Sequence, residues 1–433
     1  MPSAVIVGAG IAGLACARGY LGTGFDDFVV LEAAERAGGP AETVRIGDYL
    51  VERGPLTVRA NVPLLGLIRD AELTPLAARR AAPSFVSDGR IVTLPPSLCE
   101  LLSGAVLPLG ALASALAEPL RPVRPGPRSV RQWLEERLGA GAAERLADLL
   151  TLGVYGTTAD QVGFESAFPQ LAESLARAGG RIAGLALRRL FARGAPRGAI
   201  VSTQVGLGGL CDRLAAGLGP RLRTRRRVTR ARRAGQDFEL EIAGPQPETL
   251  RCRRLVLALP PAAAARVLED ARAVELLNGY RSLPQVLASF ALEEPACAER
   301  WTGLGFLAPP RERLPLIGCL FASNLFPGRA PSGALLLSVF VAPSLHAAGD
   351  AELERELAPV LKRLLGAARE PALLDVSRHP EGIPLYDVDH AARTRALRAA
   401  LRESRGPGLC GAGYDGVAFA AAAAAGAALA AGG

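Results

Sequence analysis

Apolar and polar positions along the 433-residue chain change period several times, and each change marks an element. Ala4-Val5-Ile6-Val7 is a short apolar run that predicts a strand, and Phe28-Val29-Val30-Leu31 predicts a second one closed by Glu32. Residues 58–85 read as a helix followed by a proline-punctuated connection. Asn61 can cap that helix, Pro63 suits its first turn, and the stretch to Glu72 is amphipathic. Segment 87–95 predicts a hairpin that turns at Asp88-Gly89. Over 98–200 leucine and alanine recur at helical spacing, with breaks at 119–127 and 194–198 and an amphipathic helix pair over 128–150. Strand patterns return over 199–260, where Phe238-Glu239-Leu240-Glu241-Ile242 alternates and an apolar run from Arg254 ends on Pro260. At least three more β-like runs fall within 285–343. A helix over 351–368 with a kink or break at Pro359, a strand, a helix over 391–403 and an alanine-rich helix from Val417 complete the pattern.

The first strand runs straight into Gly8-Ala9-Gly10-Ile11-Ala12-Gly13, and each glycine has a physical reason there. Gly8 permits a tight turn, Gly10 lets a pyrophosphate approach the backbone, and Gly13 lets the helix pack closely on the strand. The helix start offers free N–H groups and a positive dipole end to phosphates. Glu32 lies 22 residues after Gly10, where a carboxylate can accept both hydroxyls of an adenosine ribose. An acid there repels the ribose phosphate of NADP. Its position after Leu31 leaves little structural reason for an acid, so the functional reading is preferred.

Composition bounds the remaining classes. Apolar residues make up 49% and charged residues 21%, as expected of a folded chain with a large core. The formal charge of +8 is almost all arginine, since Lys362 is the one lysine, and it reads as a coding bias before it reads as a nucleic-acid signal. Eight arginines between Arg221 and Arg233 have no interleaved aromatic residues for base stacking, so a solvated strand is expected and no nucleic acid. Seven scattered cysteines without CxxC pairs, Cys16 and Cys211 read as core residues among them, argue for a reducing compartment. Three dispersed histidines suggest no metal. The first strand begins at once, which leaves no room for a cleavable signal. Segment 101–117 is uncharged but contains Pro108 and falls short of the ~20 residues that a membrane span needs. A cytoplasmic protein is expected, with peripheral contact on the inner face of the cell membrane left open.

Further segments carry a resemblance. Glu32-Ala33-Ala34-Glu35-Arg36-Ala37-Gly38-Gly39 resembles the extension found in amine-oxidase-type flavoproteins, which favours FAD over NAD. Val51-Glu52-Arg53-Gly54-Pro55, Leu152-Gly153-Val154-Tyr155 with Phe164 to Pro169, and Val205-Gly206-Leu207-Gly208-Gly209 follow in order. Gly303 to Pro309, Gly382-Ile383-Pro384-Leu385-Tyr386 with His390, and Gly411-Ala412-Gly413-Tyr414-Asp415-Gly416 come after them. Together these resemble the protoporphyrinogen oxidase family.

The resemblance implies an α/β fold: a discontinuous Rossmann-like FAD-binding domain (1–55, 200–265 and 405–433) and an α+β substrate domain with a mixed sheet (56–95 and 266–404). A helical, membrane-contacting insertion (96–199) completes it. It also implies oxidation of protoporphyrinogen IX by repeated hydride transfer to the flavin, reoxidised by dioxygen. Coproporphyrinogen III oxidation, another amine oxidase or desaturase chemistry, and an inactive flavin-fold binding protein stay open, as does a homodimer. Carried over by position, Gly8, Ala9, Gly10, Ile11, Ala12 and Gly13 would hold the pyrophosphate and Glu32 the ribose. Arg36 and Gly39 would shape the next turn, and Gly54, Pro55, Leu56 and Thr57 would lie along the flavin. Val228 would meet the adenine, while Ala412, Val417, Ala418 and Phe419 would reach the flavin's polar edge and phosphates. No triad, carboxylate dyad or metal cluster stands out, so no catalytic side chain is assigned. Tyr386 and His390 read equally as substrate contacts or as a buried tyrosine and a surface histidine. Phe306 reads as core.

Overall fold

The computed structural model describes residues 1–79, 84–93, 113–114, 117–182 and 199–431. Cys99 and the uncharged segment 101–112 lie outside them. The chain forms two compact units, one of residues 1–78, 198–282 and 392–433 and the other of residues 79–197 and 283–391.

The first unit is built on a parallel sheet of five short strands: β1 (Ala4–Val7), β2 (Phe28–Leu31), β3 (Leu222–Arg223), β4 (Arg254–Leu257) and β5 (Gly408–Leu409). Their order is β3-β2-β1-β4-β5. Registers are regular, with Ala4 opposite both Phe28 and Arg254 and Val7 opposite Leu31 and Leu257. Both faces of this sheet are covered, so alternate residues of one strand enter different cores. Ala4 and Ile6 pack with α1 (Ile11–Gly22), α2 (Gly206–Ala216) and α4 (Phe419–Ala431). Val5 and Val7 pack instead toward a three-stranded antiparallel sheet of Arg227–Ala234, Asp237–Ala243 and Glu248–Cys252. That double burial explains why β1 and β2 read as unbroken apolar runs.

The alanine-rich C-terminal helix α4 lies against α1. Gly426 approaches so closely that an added Cβ would sit 1.9 Å from the Ala12 carbonyl oxygen. Small side chains let the two backbones touch, and this packing accounts for an apolar helix that has no charged face. Ala273 and Leu277, and Leu397 and Leu401 of α3 (His390–Glu403), share one core with Val5 and Leu31. Val58, Leu64, Leu67 and Ile68 share the other core with Ile6. Residues 56–78, 266–282 and 392–404 therefore cluster with the first unit and not with the long sheet of the second.

The second unit carries a mixed seven-stranded sheet in the order Ala372–Pro384, Ser282–Glu293, Ala334–Val341, Leu316–Phe321, Gly305–Leu307, Ser84–Ser87, Arg90–Thr93. Within it Gly305–Leu307 pairs in parallel with Ser84–Ser87. The hairpin turns at Asp88 and Gly89, whose φ values of +53° and +73° suit the type I′ geometry its sequence predicts. One face packs on the helix Asp350–Leu365 through Leu353, Leu357, Leu361 and Leu365. The expected break at Pro359 does not occur, because Pro359 sits on that helix's exposed side within an uninterrupted run. The helix pair Val130–Leu138 and Ala140–Tyr155 joins this unit, with Leu152 against Ile317 and Ala342. Segment 117–182 thus clusters with the second sheet.

Candidate functional site

The turn from β1 into α1 is fixed by contacts that only glycine allows. Gly8 takes φ +98°, and its N–H donates to the Leu31 carbonyl at 2.8 Å. A Cβ on Gly13 would lie 1.9 Å from the Gly8 carbonyl oxygen. Gly10 is the N-cap of α1, no side chain caps the helix, and a Cβ on Gly10 would meet no atom within 4 Å. The first N–H groups of α1 have no intrahelical partner and lie at the positive end of the helix dipole.

Glu32, at the end of β2, reaches into the same turn. Its Oε2 accepts the Ala9 N–H at 2.8 Å and its Oε1 accepts the Ala34 N–H at 2.8 Å. The structure therefore supplies the structural reason for an acid that the sequence reading did not find. Each carboxylate oxygen still has a lone pair free for another donor.

Glu32 also lines a cavity of about 310 Å³ together with Val7, Gly8, Val228, Leu259 and Arg266. The volume falls at the small end of the ~300–1,000 Å³ typical of small-molecule sites. Three of the sequence candidates, Gly8, Glu32 and Val228, meet at this cavity. Arg226, Arg227 and Arg266 also line it and were not anticipated. The first two were hidden in the arginine run, and the third sits on a helix without any motif.

The remaining candidates extend from the turn in two directions. Gly38 pairs with Gly10, and the Gly38 N–H donates to the Ala9 carbonyl at 2.8 Å. Arg36 holds this loop, donating to the carbonyls of Ala37 at 2.9 Å, Ala41 at 3.0 Å and Gly39 at 2.8 Å. Gly54 follows closely, since a Cβ there would sit 1.9 Å from the Pro40 carbonyl oxygen. Beyond it Leu56 is buried and Pro55 and Thr57 are half-buried. In the other direction Gly411 comes within 3.9 Å of the Ala12 methyl, measured from the position of an added Cβ. The half-buried Ala412 packs on the same core, while Val417 and the exposed Ala418 precede α4, which begins at Phe419.

Elsewhere in the first unit, the arginine run is a solvated strand surface. Arg230 pairs with Glu241 at 3.1 Å, and Arg232 and Arg251 each donate to Glu239 through Nε at 2.9 Å. Burial pushes the thiols of Cys16 and Cys252 up to about 12, so both remain protonated near neutral pH. In the second unit Phe306 is buried as expected. His390 is not a surface residue. It is 2% exposed, and its ring stacks on that of Tyr386 at 3.6 Å between centroids. Burial also raises the Tyr155 hydroxyl above its ordinary range, and its ring lies 5.9 Å from Tyr386.

Comparison with known proteins places this geometry. The model of flavin-containing amine oxidoreductases matches residues 11–431. The chain is 28% identical to a chloroplastic protoporphyrinogen oxidase of Nicotiana tabacum over 94% of its own length and 80% of the relative's. It is 25% identical to a coproporphyrinogen III oxidase of Bacillus subtilis (strain 168), over 95% of its length and 94% of the relative's. Among solved structures, a protein of Exiguobacterium sp. 255-15 assigned as a protoporphyrinogen oxidase superposes with a TM-score of 0.83 at 25% identity. That match covers 100% of this chain and 98% of the other.

Proposed function

Because the chain belongs to the flavin-containing amine oxidoreductase family, as an FAD-dependent oxidoreductase, we propose that it oxidises protoporphyrinogen IX to protoporphyrin IX. One observation carries the reading: relatives named for porphyrinogen oxidation align over 94% and 95% of this chain, not only at the nucleotide turn.

The residues of the first unit fit FAD. The Gly8–Gly13 turn has room at Gly10 for a pyrophosphate and uncapped N–H groups to receive it. Glu32 is held by two backbone donors and lines the cavity of about 310 Å³ together with Val228, with lone pairs left for the ribose hydroxyls. Arg36 fixes the 37–41 loop against Gly10. Gly39, Gly54, Pro55, Leu56 and Thr57 would then continue along the isoalloxazine, and Ala412 with Val417, Ala418 and Phe419 would meet its polar edge and the phosphates.

Bound FAD supplies the hydride acceptor, with dioxygen taking the electrons onward. What the chain itself does is bind, orient and exclude water. Val228, Leu259 and Val7 are apolar walls that keep the adenosine end dry. Exposed Leu120, Val123, Leu150 and Val154, all carried by the helical segment, support peripheral contact of that segment with a membrane. Among the described residues no helix is long and apolar enough to cross one.

Coproporphyrinogen III is the second reading. It is supported by the Bacillus relative named for that oxidation, which aligns over 95% of this chain. The deciding experiment gives the FAD-loaded protein both porphyrinogens aerobically, in parallel, and follows porphyrin fluorescence. Faster oxidation of protoporphyrinogen IX is the expected result. Preference for coproporphyrinogen III would replace the first reading by the second, and a flavin reduced by neither would remove both.

A further inference from the structure

A second concavity of about 700 Å³ lies in the first unit, away from the turn that ends β1. It takes in the first residues of β4 and β5, Arg254 and Gly408, together with Tyr20 near the end of α1. The nucleotide turn sits at the opposite, C-terminal ends of β1 and β2. Its size falls within the ~300–1,000 Å³ range of small-molecule sites.

Six arginines line it: Arg233, Arg253, Arg254, Arg398, Arg402 and Arg405. Three come from the strand side and three from α3 and the residues after it, so the charge is supplied by two separate elements. Apolar residues share the lining, including Leu401, Ala425 and Leu429. The one carboxylate in the lining, Asp415, is already engaged. It takes Arg398 on Oδ1 and the Gly411 N–H at 3.2 Å on Oδ2.

The other five arginines differ from their neighbours on the same sheet. Arg230, Arg232 and Arg251 are each paired with a glutamate. Among the described residues, no carboxylate lies within ion-pairing distance of Arg233, Arg253, Arg254, Arg402 or Arg405. Two are held over aromatic rings instead, Arg233 at 4.7 Å from the Phe238 centroid and Arg254 at 5.8 Å from Phe25. Such stacking fixes the guanidinium plane and leaves its N–H fork available.

We propose that this groove is a second ligand site, for a small molecule with an apolar body and two or more acid groups. One carboxylate has two oxygens for five unpaired guanidinium groups carried on two elements, whereas acid groups at separate points of one molecule can meet both sets. The apolar part of the lining asks for a hydrophobic body between them. A flat anionic membrane would meet the exposed rim without reaching that lining, so the concave shape favours a free molecule. The site is independent of the identity of the porphyrinogen.

The test uses the FAD-loaded protein and isothermal titration with dodecanedioate as the probe. Succinate serves as a dianion without the apolar body, and phosphatidylglycerol vesicles serve as an anionic surface. The expected result is one dodecanedioate bound per chain, no measurable binding of succinate, and weakening as salt screens the exposed rim. The double substitution Arg402→Glu and Arg405→Glu should weaken binding by about tenfold or more. Arg253→Ser, on the strand side, should weaken it less. FAD content and the thermal midpoint report whether each variant is folded. Undiminished dodecanedioate binding in folded variants of both elements would overturn the proposal, as would no binding to the wild type. Equal binding of succinate would reduce the groove to a charge patch, and binding confined to vesicles would make it a membrane contact; either result sinks the ligand site.

Discussion

Two glycine-rich turns in the first unit lead into helices, and they are put to opposite uses. The turn at Gly8–Gly13 leaves the start of α1 bare, with no capping side chain and empty space around Gly10. The turn at Val205–Gly209 is capped by side chains from another segment. Buried Glu52 accepts the Leu207 N–H at 2.9 Å on one oxygen and the Thr43 hydroxyl at 2.6 Å on the other. Thr43 Oγ1 in turn accepts the Gly208 N–H at 2.9 Å, and a Cβ on Gly208 would sit 2.2 Å from the Thr43 nitrogen. The protein's own anion thus occupies the second helix start, where the first is left for a phosphate. Both are glycine-rich helix starts, and the buried acid at the second is what sets it apart.

The largest effect on this comparison is expected from Gly13→Ala. Its methyl would collide with the Gly8 carbonyl, and neither backbone can withdraw without dismantling the turn. A loss of about 3 kcal/mol is expected by chemical denaturation of the FAD-free protein, consistent with severe overpacking. Glu52→Ala comes next. It strands the Leu207 N–H and the Thr43 hydroxyl in a buried place, at a cost of roughly 2–3 kcal/mol. FAD affinity of the folded fraction should stay within about twofold of wild type, because Glu52 serves the other helix. A parallel fall in FAD affinity would mean that the two turns are not independent.

Glu32→Gln sharpens the first turn from the acid's side. The amide oxygen keeps one backbone donor, so the change in folding stability should be small. Exchanging a charged acceptor for a neutral one should weaken FAD by about tenfold, in line with the ~1.5–3 kcal/mol of hydrogen bonds to charged groups. Equilibrium dialysis of flavin measures it. Unchanged affinity would leave Glu32 as a purely structural link between Ala9 and Ala34.

How far the sequence reaches follows from the same residues. The first turn was legible because strand, glycines, helix and acid lie within one short stretch, and local sterics dictate them. Glu52 was not recognised as a cap, since its partner Leu207 is 155 positions away and nothing in either segment names the other. Strands such as Asp237–Ala243 showed in their alternation, and Asn61 showed as a cap, which its 2.9 Å bond from the Leu64 N–H bears out. Which core an amphipathic helix joins did not show, because periodicity gives the apolar face but not its partner; the helix Ala271–Asn278 is the example. The burial of His390 did not show for a similar reason, since a lone imidazole carries no sign of the tyrosine ring stacked on it.

The most direct measurement is Gly10→Ala, examined for folding and for flavin separately. The Gly10 backbone, at φ −69° and ψ 177°, is one that alanine adopts, and no protein atom lies within 4 Å of the new methyl. Exchanging glycine for alanine at an N-cap costs only about 0.5–1 kcal/mol, so the FAD-free protein should unfold close to the wild-type midpoint. Its FAD affinity should nonetheless fall by about tenfold or more, because the methyl occupies the space through which the pyrophosphate approaches the backbone. A variant that binds FAD as tightly as wild type, or one as unstable as Gly13→Ala, would contradict the assignment of this turn to the cofactor.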